Sequence, residues 1–391
     1  MDLLSMSKLE LLERCKTLSI INCKSKNKKQ LLELITSKMP IVKPVQQEQP
    51  IQSHPISHPV SHPVSNLNVI DLFCGCGGMS KGLIDAGLNI IAGIDVWDKA
   101  VVSYNKNFSH HQAYCEDLTQ LSPEKFEELY NKDKKAVDVL VGGPPCQSFS
   151  IAGRRDKDDP RNTLFMEYVK YLDYFRPKAF IMENVIGLLS KKTASGEDTS
   201  GGEKVIDIIM ELLNRDYNCI ITKLYASDFE VPQNRRRVII IGIRKDLGIF
   251  PKEPEPVIKS VEDRIPVRTV LLRKEDVDAK YYLSEKALAG IENKRAVSKA
   301  KGFGFGAQML DVDKPSYTIP ARYWKDGYDA LVKYNDNEIR RLTILELKRI
   351  QSFPDNYIIE GSNKDVIIQI GNAVACKLAY HLGKYLVNTL R

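Results

Sequence analysis

The sequence lacks the features that mark several classes of protein. Its 391 residues include eight cysteines but no Cys-x-x-Cys pair, so neither a zinc-ligand spacing nor a disulfide framework is evident. No apolar run approaches the roughly 18 residues that cross a membrane, and the N-terminus has no secretory apolar core. We therefore expect no membrane span, no metal site and a reducing intracellular compartment, in which cysteine thiols stay free.

A further absence concerns nucleotide binding. Residues 68–73, Asn-Val-Ile-Asp-Leu-Phe, predict a strand, and a glycine-rich turn at 74–78 leads into a helical pattern. A strand, a glycine-rich turn and a helix in this order are typical of the first unit of a sheet that binds a dinucleotide or a nucleoside. The turn is not Gly-x-Gly-x-x-Gly, which argues against a pyrophosphate cofactor. Asp71 lies within the first predicted strand. A second predicted strand ends at Asp95, where a carboxylate suits ribose hydroxyls, and a third acid follows at Asp117.

Cys146 follows a stiff exit from a predicted strand. The apolar run 137–141 predicts a buried strand, and Pro144 and Pro145 end it, because proline fixes φ and has no N–H for a sheet. Ligands of open α/β sheets bind beyond the carboxyl ends of strands. The thiol of Cys146 is therefore placed where a substrate would lie, which favours a nucleophile over a buried structural cysteine.

The N-terminal residues 1–40 predict a small helical unit rich in positive charge. Asn27 is a predicted cap for a helix over 28–35, and the whole chain carries a net charge of +7. Helix, basic turn and helix resemble the SAP module, a small DNA-binding fold. The alternative is a solvated amphipathic pair of helices, since forty residues make a marginal core.

Residues 41–66 form a predicted linker rich in Pro, Gln and His. Ser-His-Pro occurs three times, which favours extended, polyproline-like chain. His54, His58 and His62 are conceivable metal ligands. Each precedes a proline in a flexible segment, so we interpret the repeat as a spacer.

Several stretches resemble motifs of the DNA (cytosine-5)-methyltransferase family. Gly142-Gly-Pro-Pro-Cys-Gln-Ser-Phe-Ser150 resembles its nucleophile motif, and Asp71-Leu-Phe-x-Gly-x-Gly-Gly78 resembles its S-adenosylmethionine motif. The other matching stretches are Glu183-Asn-Val185, Gln233-x-Arg-x-Arg237, Arg340–Pro354 and Gln369-Ile-Gly-Asn-Ala-Val374. They follow the family's order and cover about residues 67–390. One departure is Asp95, where the family more often has Glu.

The resemblance implies an α/β fold, with a Rossmann-like S-adenosylmethionine-dependent methyltransferase sheet and a smaller target-recognition domain. We expect a small helical N-terminal unit at 1–40 and a linker at 41–66. The catalytic and cofactor-binding domain would span 67–249 and end with 338–391. Between them, residues 250–337 are rich in Tyr, Arg and Gly, which suits contact with a nucleic-acid groove.

The resemblance also implies S-adenosylmethionine as cofactor and double-stranded DNA as partner. The implied catalytic residues are the nucleophile Cys146, Glu183 at N3 of the cytosine, and Arg237 at O2 with Arg235 in support. The implied cofactor-binding residues are Phe73, Gly75, Gly77, Gly78, Asp95, Val96, Asp117, Leu118, Pro145, Leu164, Asn372 and Val374. The implied DNA-binding residues are Gln147, Ser150, Arg161, Gln233 and Arg322.

Three functions are compatible with these motifs. The first is methylation of C5 of a flipped-out cytosine in a specific duplex sequence, with residues 151–162 as a polar lid over the site. The second is an RNA, for example tRNA, cytosine-5 methyltransferase on the same scaffold. An inactive DNA-binding relative is the third, although Cys146, Glu183, Arg235, Arg237 and Asn372 are all present. The long predicted recognition region favours DNA, and we expect a monomer.

Overall fold

The computed structural model describes residues 27–31, 65–145, 163–191, 204–300 and 307–391. The chain divides into a unit of residues 1–58 and a unit of residues 59–391. In the first unit, residues 28–31 are helical. Oδ1 of Asn27 accepts a hydrogen bond from the Gln30 N–H at 3.0 Å, and Oε1 of Gln30 accepts one from the Asn27 N–H at 3.1 Å. This reciprocal pair confirms Asn27 as the helix cap.

A seven-stranded sheet forms the centre of the second unit. Its strands are β1 Asn68–Leu72, β2 Asn89–Asp95, β3 Ala113–Cys115, β4 Val139–Gly142, β5 Ala179–Val185, β6 Tyr217–Tyr225 and β7 Arg236–Arg244. Their order across the sheet is β3-β2-β1-β4-β5-β7-β6. Neighbours from β3 to β5 are parallel, whereas β7 runs antiparallel to both β5 and β6. The mostly parallel, doubly wound sheet confirms the predicted fold class.

Helices cover both faces of the sheet, which explains why the central strands are apolar throughout. The helices are α1 Gly78–Asp85, α2 Asp98–Asn107, α3 Pro123–Tyr130, α4 Thr163–Phe175, α5 Val205–Leu213, α6 Glu285–Ala300, α7 Ile344–Ile350, α8 Asn363–Asn372 and α9 Cys376–Thr389. One core packs α1 and α9 against residues such as Val141 and Ile181. The opposite core packs α3, α4 and α5 against residues such as Leu140 and Met182. The carboxyl ends of the parallel strands are left open at one edge.

The predicted recognition region and the C-terminal segment share a third core. A hairpin of β8 Leu331–Asn335 and β9 Glu338–Arg341 crosses the boundary predicted between residues 337 and 338. The core joins Val267, Ile319 and Val332 to Leu347 and Ile370. Apolar side chains from both sides of the predicted boundary therefore pack into one core, and the division of this part of the chain into domains stays a prediction.

Candidate active site

A cavity of about 810 Å³ opens at the carboxyl ends of the parallel strands. A volume of about 300–1,000 Å³ is typical of small-molecule sites. Ten of the predicted cofactor-binding residues line it: Phe73, Gly75, Asp95, Val96, Asp117, Leu118, Pro145, Leu164, Asn372 and Val374. The catalytic candidate Glu183 lines the same cavity. The structure thus brings together residues that are about 300 positions apart in the chain.

The turn after β1 shapes one wall of the cavity. Phe73, a non-glycine residue, has a φ of 60°, and Gly75 has a φ of 54°. The Gly75 N–H donates a 2.8 Å hydrogen bond to Oδ2 of Asp95, which ties the turn to the end of β2. A Cβ built on Gly75 meets no atom within 4 Å. Gly75 therefore leaves backbone exposed to the cavity, as close approach to a ligand requires.

Gly77 and Gly78 are not among the residues that line the cavity, so their contact with the cofactor stays a prediction. A Cβ on Gly78 would lie 2.3 Å from the carbonyl oxygen of Val374, and one on Gly77 would lie 2.7 Å from the Tyr357 hydroxyl. Both glycines are needed because the C-terminal segment packs directly onto the turn. Their described contacts are structural, and they hold Val374 at the cavity.

Two carboxylates present oxygen atoms to the cavity. The Trp97 N–H donates to Oδ1 of Asp95 at 2.9 Å, so each Asp95 oxygen accepts one backbone bond. Burial raises the pKa of Asp95, and its backbone hydrogen bonds oppose that shift. Asp117 accepts bonds from the Thr119 N–H and hydroxyl, both at Oδ1. Both acids have acceptor capacity left for hydroxyl or amino donors.

Asp71 is a buried acid that the sequence analysis did not identify as a site residue. It lines the cavity, is 1% exposed, and accepts a 2.6 Å bond from the Ser80 hydroxyl. The Tyr104 hydroxyl donates to Ser80 at 2.8 Å. Burial raises the pKa of Asp71 to about 7. Its place in the motif beside the glycine turn was the available signal, but burial could not be deduced from it.

Glu183 and Arg237 form an ion pair beside the cavity. Nε of Arg237 lies 2.7 Å from Oε1 of Glu183, and each side chain is 12% exposed. Glu183 lies opposite Ile239 in the pairing of β5 with β7, so Arg237 is its diagonal neighbour. Diagonal neighbours on one face of an antiparallel pair are within reach of long side chains. The two predicted catalytic residues are thus adjacent.

Asn184 fixes the chain that leads to the predicted nucleophile. Its Nδ2 donates a 2.9 Å hydrogen bond to the carbonyl oxygen of Pro144, and the Asn184 side chain is buried. Gly143, Pro144 and Pro145 line the cavity directly before Cys146. Cys146 itself lies outside the described residues, as do Gln147, Ser150 and Arg161. Their predicted roles stay predictions.

The structure places Arg235 and Gln233 in the interior, and their predicted catalytic and DNA-binding roles stay predictions. Arg235 is 2% exposed, and its guanidinium donates to the carbonyl oxygens of Ile319, Gly371 and Ala373. Gln233 is fully buried, and its described bonds are to residues of the protein interior. Neither residue is among those that line the cavity. Arg237, two residues further along the chain, pairs with Glu183 beside the cavity.

Arg322 is on the surface, in a short turn at Ala321–Trp324. Its Nη2 lies 2.5 Å from Oδ1 of Asp329, and its side chain is 67% exposed. Exposure is compatible with the predicted DNA contact but does not test it.

Two other observations concern metal ions and membrane-spanning helices. Among the described residues, no three His, Cys, Asp or Glu are placed to hold a metal ion. Within that same part of the chain, no helix could span a membrane.

Comparison with protein families identifies residues 67–388 as matching the family described as C-5 cytosine-specific DNA methylase. Type II methyltransferase M.DdeI of Desulfomicrobium norvegicum is 32% identical over 382 residues, covering 81% of this chain and 88% of that protein. Type II methyltransferase M1.HphI of Haemophilus parahaemolyticus is 33% identical over 333 residues, covering 80% and 85%. The matched residues agree with the range of the sequence resemblance.

Solved structures resemble the fold over the same extent. The crystal structure of the S. pombe Dnmt2 methyltransferase superposes with a TM-score of 0.64 at 21% identity, covering 82% of this chain and 98% of that one. The Entamoeba histolytica methyltransferase EhMeth gives a TM-score of 0.64 at 19% identity, covering 83% and 99%. At such identities the likeness concerns the fold alone, a Rossmann-like methyltransferase sheet.

Proposed function

This chain belongs to the C-5 cytosine-specific DNA methylase family, whose reaction is methylation of cytosine in DNA at C5, and we propose that it works through a covalent adduct between Cys146 and C6 of a flipped-out base. The observation that carries the proposal is the Glu183–Arg237 pair, 2.7 Å apart at the cavity that Pro145 also lines. Pro145 directly precedes Cys146 in the chain. An acid, a guanidinium and a thiol are the three groups that this reaction needs around one ring.

The cavity fits S-adenosylmethionine. Gly75 leaves open space where a side chain would otherwise project, and Asp95 and Asp117 supply acceptors for ribose hydroxyls and an amino group. Asn372 and Val374 line the same cavity and would complete the cofactor site. When bound, this cofactor supplies an electrophilic methyl group on a sulfonium.

The protein's own groups make C5 reactive enough to accept that methyl. C5 is a poor nucleophile in the aromatic ring, and bond formation between the Cys146 thiolate and C6 gives C5 enamine character. Electron density then moves toward N3 and O2. Glu183 would supply a proton at N3, and Arg237 would donate to O2. Fixed partners for developing charge contribute about 2.7–4 kcal/mol for one donor. Once C5 carries the methyl group, the C5 proton passes to a base and the C6–sulfur bond breaks to release the Cys146 thiolate. The proton on N3 returns to Glu183, which restores the aromatic ring and the enzyme.

DNA must approach the open edge of the sheet with its target base flipped out, at a cost of a few kcal/mol. Gln147, Ser150 and the loop to Arg161 would fill the space that the base leaves. Residues 250–337, including Arg322, would read the neighbouring base pairs. The N-terminal unit at 1–40 would add phosphate contacts through its positive charge. We propose a monomer as the active form.

The proposal is tested by bisulfite sequencing of DNA from a host without cytosine methylation that expresses the wild-type protein or Cys146→Ser. We expect protected cytosines at one recurring sequence with the wild type and none with the variant, because a hydroxyl is far less ionised than a thiol. Purified protein should transfer labelled methyl from S-adenosylmethionine to duplex DNA. Transfer to tRNA instead of DNA would establish the RNA alternative, and no transfer to either would establish an inactive relative.

A further inference from the structure

Three buried polar side chains, Gln233, Arg235 and Gln351, form a connected group that we term the buried junction. They are 0%, 2% and 0% exposed. Nε2 of Gln233 donates to Oε1 of Gln351 at 3.0 Å. Gln233 and Arg235 precede β7, while Gln351 follows α7. The junction therefore joins two distant parts of the sequence inside the second unit.

The buried junction binds both backbone polar groups of Ile319, its N–H and its carbonyl. The Ile319 N–H donates to Oε1 of Gln233 at 2.9 Å, and the Ile319 carbonyl accepts from Nη1 of Arg235 at 3.3 Å. The Ser316 N–H also donates to the Pro232 carbonyl at 2.9 Å. Ile319 lies three residues before Arg322, in the segment proposed to contact DNA. The recognition segment is thus attached to the junction through its backbone.

The same junction binds the segment that lines the cavity. Nη2 of Arg235 donates to the carbonyls of Gly371 at 2.9 Å and Ala373 at 3.1 Å. Nε2 of Gln351 donates to the carbonyl of Ile370 at 2.8 Å. Asn372, between these residues, lines the cavity. A displacement of the buried junction would therefore move residues 370–373, which form part of the cavity wall.

Direct packing leaves little freedom between these two segments. A Cβ on Gly371 would lie 2.5 Å from the backbone nitrogen of Ala321. Packed interiors shift as discrete arrangements and do not deform continuously. Arg235 is also two residues before Arg237 of the catalytic pair in the chain. The buried junction therefore contacts the recognition segment and residues 370–373 directly and lies close in sequence to the catalytic pair.

The electrostatics of Arg235 make partial displacement unfavourable. Among the described residues no carboxylate lies within ion-pair distance of its guanidinium, and its buried Nε has no hydrogen-bond partner there. Burial lowers the pKa of Arg235 to about 9, helped by the charge of Arg237 and opposed by that of Glu183. The group is still charged at neutral pH, and a buried charge that loses its carbonyl partners is strongly destabilising.

We infer that the buried junction couples recognition of the DNA sequence to the cofactor cavity, with Arg235 as the positioning residue. Contact of the correct sequence with the segment around Ile319 would favour one arrangement of residues 370–373, and that arrangement holds the cofactor more tightly. This inference rests on the proposed function. Arg235 acts through the backbone segments that it binds, not on the reacting base.

Coupling of this kind is reciprocal, so cognate DNA must tighten cofactor binding by the same factor by which the cofactor tightens DNA binding. The quantity to measure is the ratio of the Kd for S-adenosylhomocysteine with a scrambled duplex to its Kd with the duplex mapped by bisulfite sequencing. We expect a ratio of about fivefold or more for the wild type, the lower end of typical couplings. Substitution of a residue that is only structural would change both Kd values by the same factor and leave their ratio unchanged.

The experiment is calorimetric titration of S-adenosylhomocysteine into protein saturated with either duplex. Arg235→Lys keeps the charge but lacks the planar fork that reaches several carbonyls, and we expect its ratio to fall to about 1. Gln351→Met removes the bonds to Gln233 and Ile370 without burying a charge, and should have the same effect. Arg236→Lys is the matched control, because Arg236 is the exposed neighbour bonded to Tyr225, and its ratio should equal that of the wild type.

A wild-type ratio in Arg235→Lys and Gln351→Met would overturn the inference. If Arg235→Lys does not fold by circular dichroism, Gln351→Met alone decides. A wild-type ratio of 1 in a protein that methylates its mapped site would overturn the coupling and leave the proposed function intact. A wild type that neither binds S-adenosylhomocysteine nor methylates DNA would instead contradict the proposed function.

Discussion

Nε of Arg237 lies 2.7 Å from Oε1 of Glu183, and neither side chain is more than 12% exposed. The two residues come from antiparallel neighbours, β5 and β7, the only antiparallel contact that β5 makes among the described strands. Reversal of β7 is what brings its first residues to the carboxyl end of β5. A purely parallel strand would present its last residues there, and the arginines would lie at the opposite edge.

We predict that Glu183→Gln reduces kcat by about 100- to 1,000-fold, the effect of removing one transition-state partner. DNA affinity should change little, because the proton at N3 matters more in the transition state than in the ground state. The measurement is single-turnover methyl transfer together with duplex binding. Glu230→Gln is the matched control, since Glu230 pairs with His381 away from the cavity. A loss of DNA affinity with unchanged turnover would refute the assigned role.

Asn184→Leu should lower kcat while the protein stays folded. The bond from Asn184 to the Pro144 carbonyl holds the strand exit, and misplacement of a reacting group by about 1 Å can cost about 100-fold in rate. Asn184→Asp, which cannot donate when ionised, should behave similarly. The check is the rate of labelled methyl transfer at saturating cofactor. Wild-type rates in both variants would show that this bond does not position Cys146.

Alanine at Gly75 and alanine at Gly78 should have different consequences. Gly75→Ala places a methyl group in the open cavity at a φ of 54°, which costs about 1–2 kcal/mol in stability and should weaken binding of S-adenosylhomocysteine. Gly78→Ala would place a Cβ 2.3 Å from the Val374 carbonyl. Overpacking of this kind costs about 1–3 kcal/mol or more. Urea unfolding measures the stability of both variants, and calorimetry measures their affinity for S-adenosylhomocysteine. Overpacking at Gly75 together with a loss of affinity mainly at Gly78 would contradict the assignment.

The buried Asp71 should make stability fall as the pH rises. Its pKa is about 7 in the folded state against 3.8 without burial, so the folded state binds more protons between these values, and the free energy of unfolding decreases with pH through that window. From pH 5 to pH 8 the expected loss is roughly 2–3 kcal/mol, at 1.36 kcal/mol per pKa unit.

Asp71→Asn should remove that loss, because an amide oxygen still accepts the Ser80 hydroxyl. His111 acts in the opposite direction, since burial lowers its pKa to about 4 and the folded state resists protonation below 6.5. The test is therefore the difference in unfolding free energy between wild type and Asp71→Asn at pH 5 and pH 8, in which the His111 effect cancels. A difference independent of pH would show that Asp71 does not titrate in this range.

The sequence determined the strand ends that build the site. The predicted strands that lead to Asp95 and to Pro144 are observed as β2 and β4, and both residues line the cavity at the open edge of the sheet. These strands could be predicted because an apolar run and the residues that end it are neighbours in the chain. The motif that contains Arg235 and Arg237 is also visible in the sequence, but Arg235 precedes β7 and bonds to Gly371 and Ala373, whereas Arg237 pairs with Glu183. The family motifs then indicated which of these groups act together.

Only the tertiary structure decided what covers each face. Gln233 and Arg235 looked like site residues, but the recognition segment and the segment 370–373 fold over them and accept their hydrogen bonds. Gly77 and Gly78 looked like cofactor contacts, yet Val374 and Tyr357 pack against them. The sequence specifies which side chains share a face. Which distant segment buries that face depends on contacts between residues more than eighty positions apart, and no local pattern encodes them.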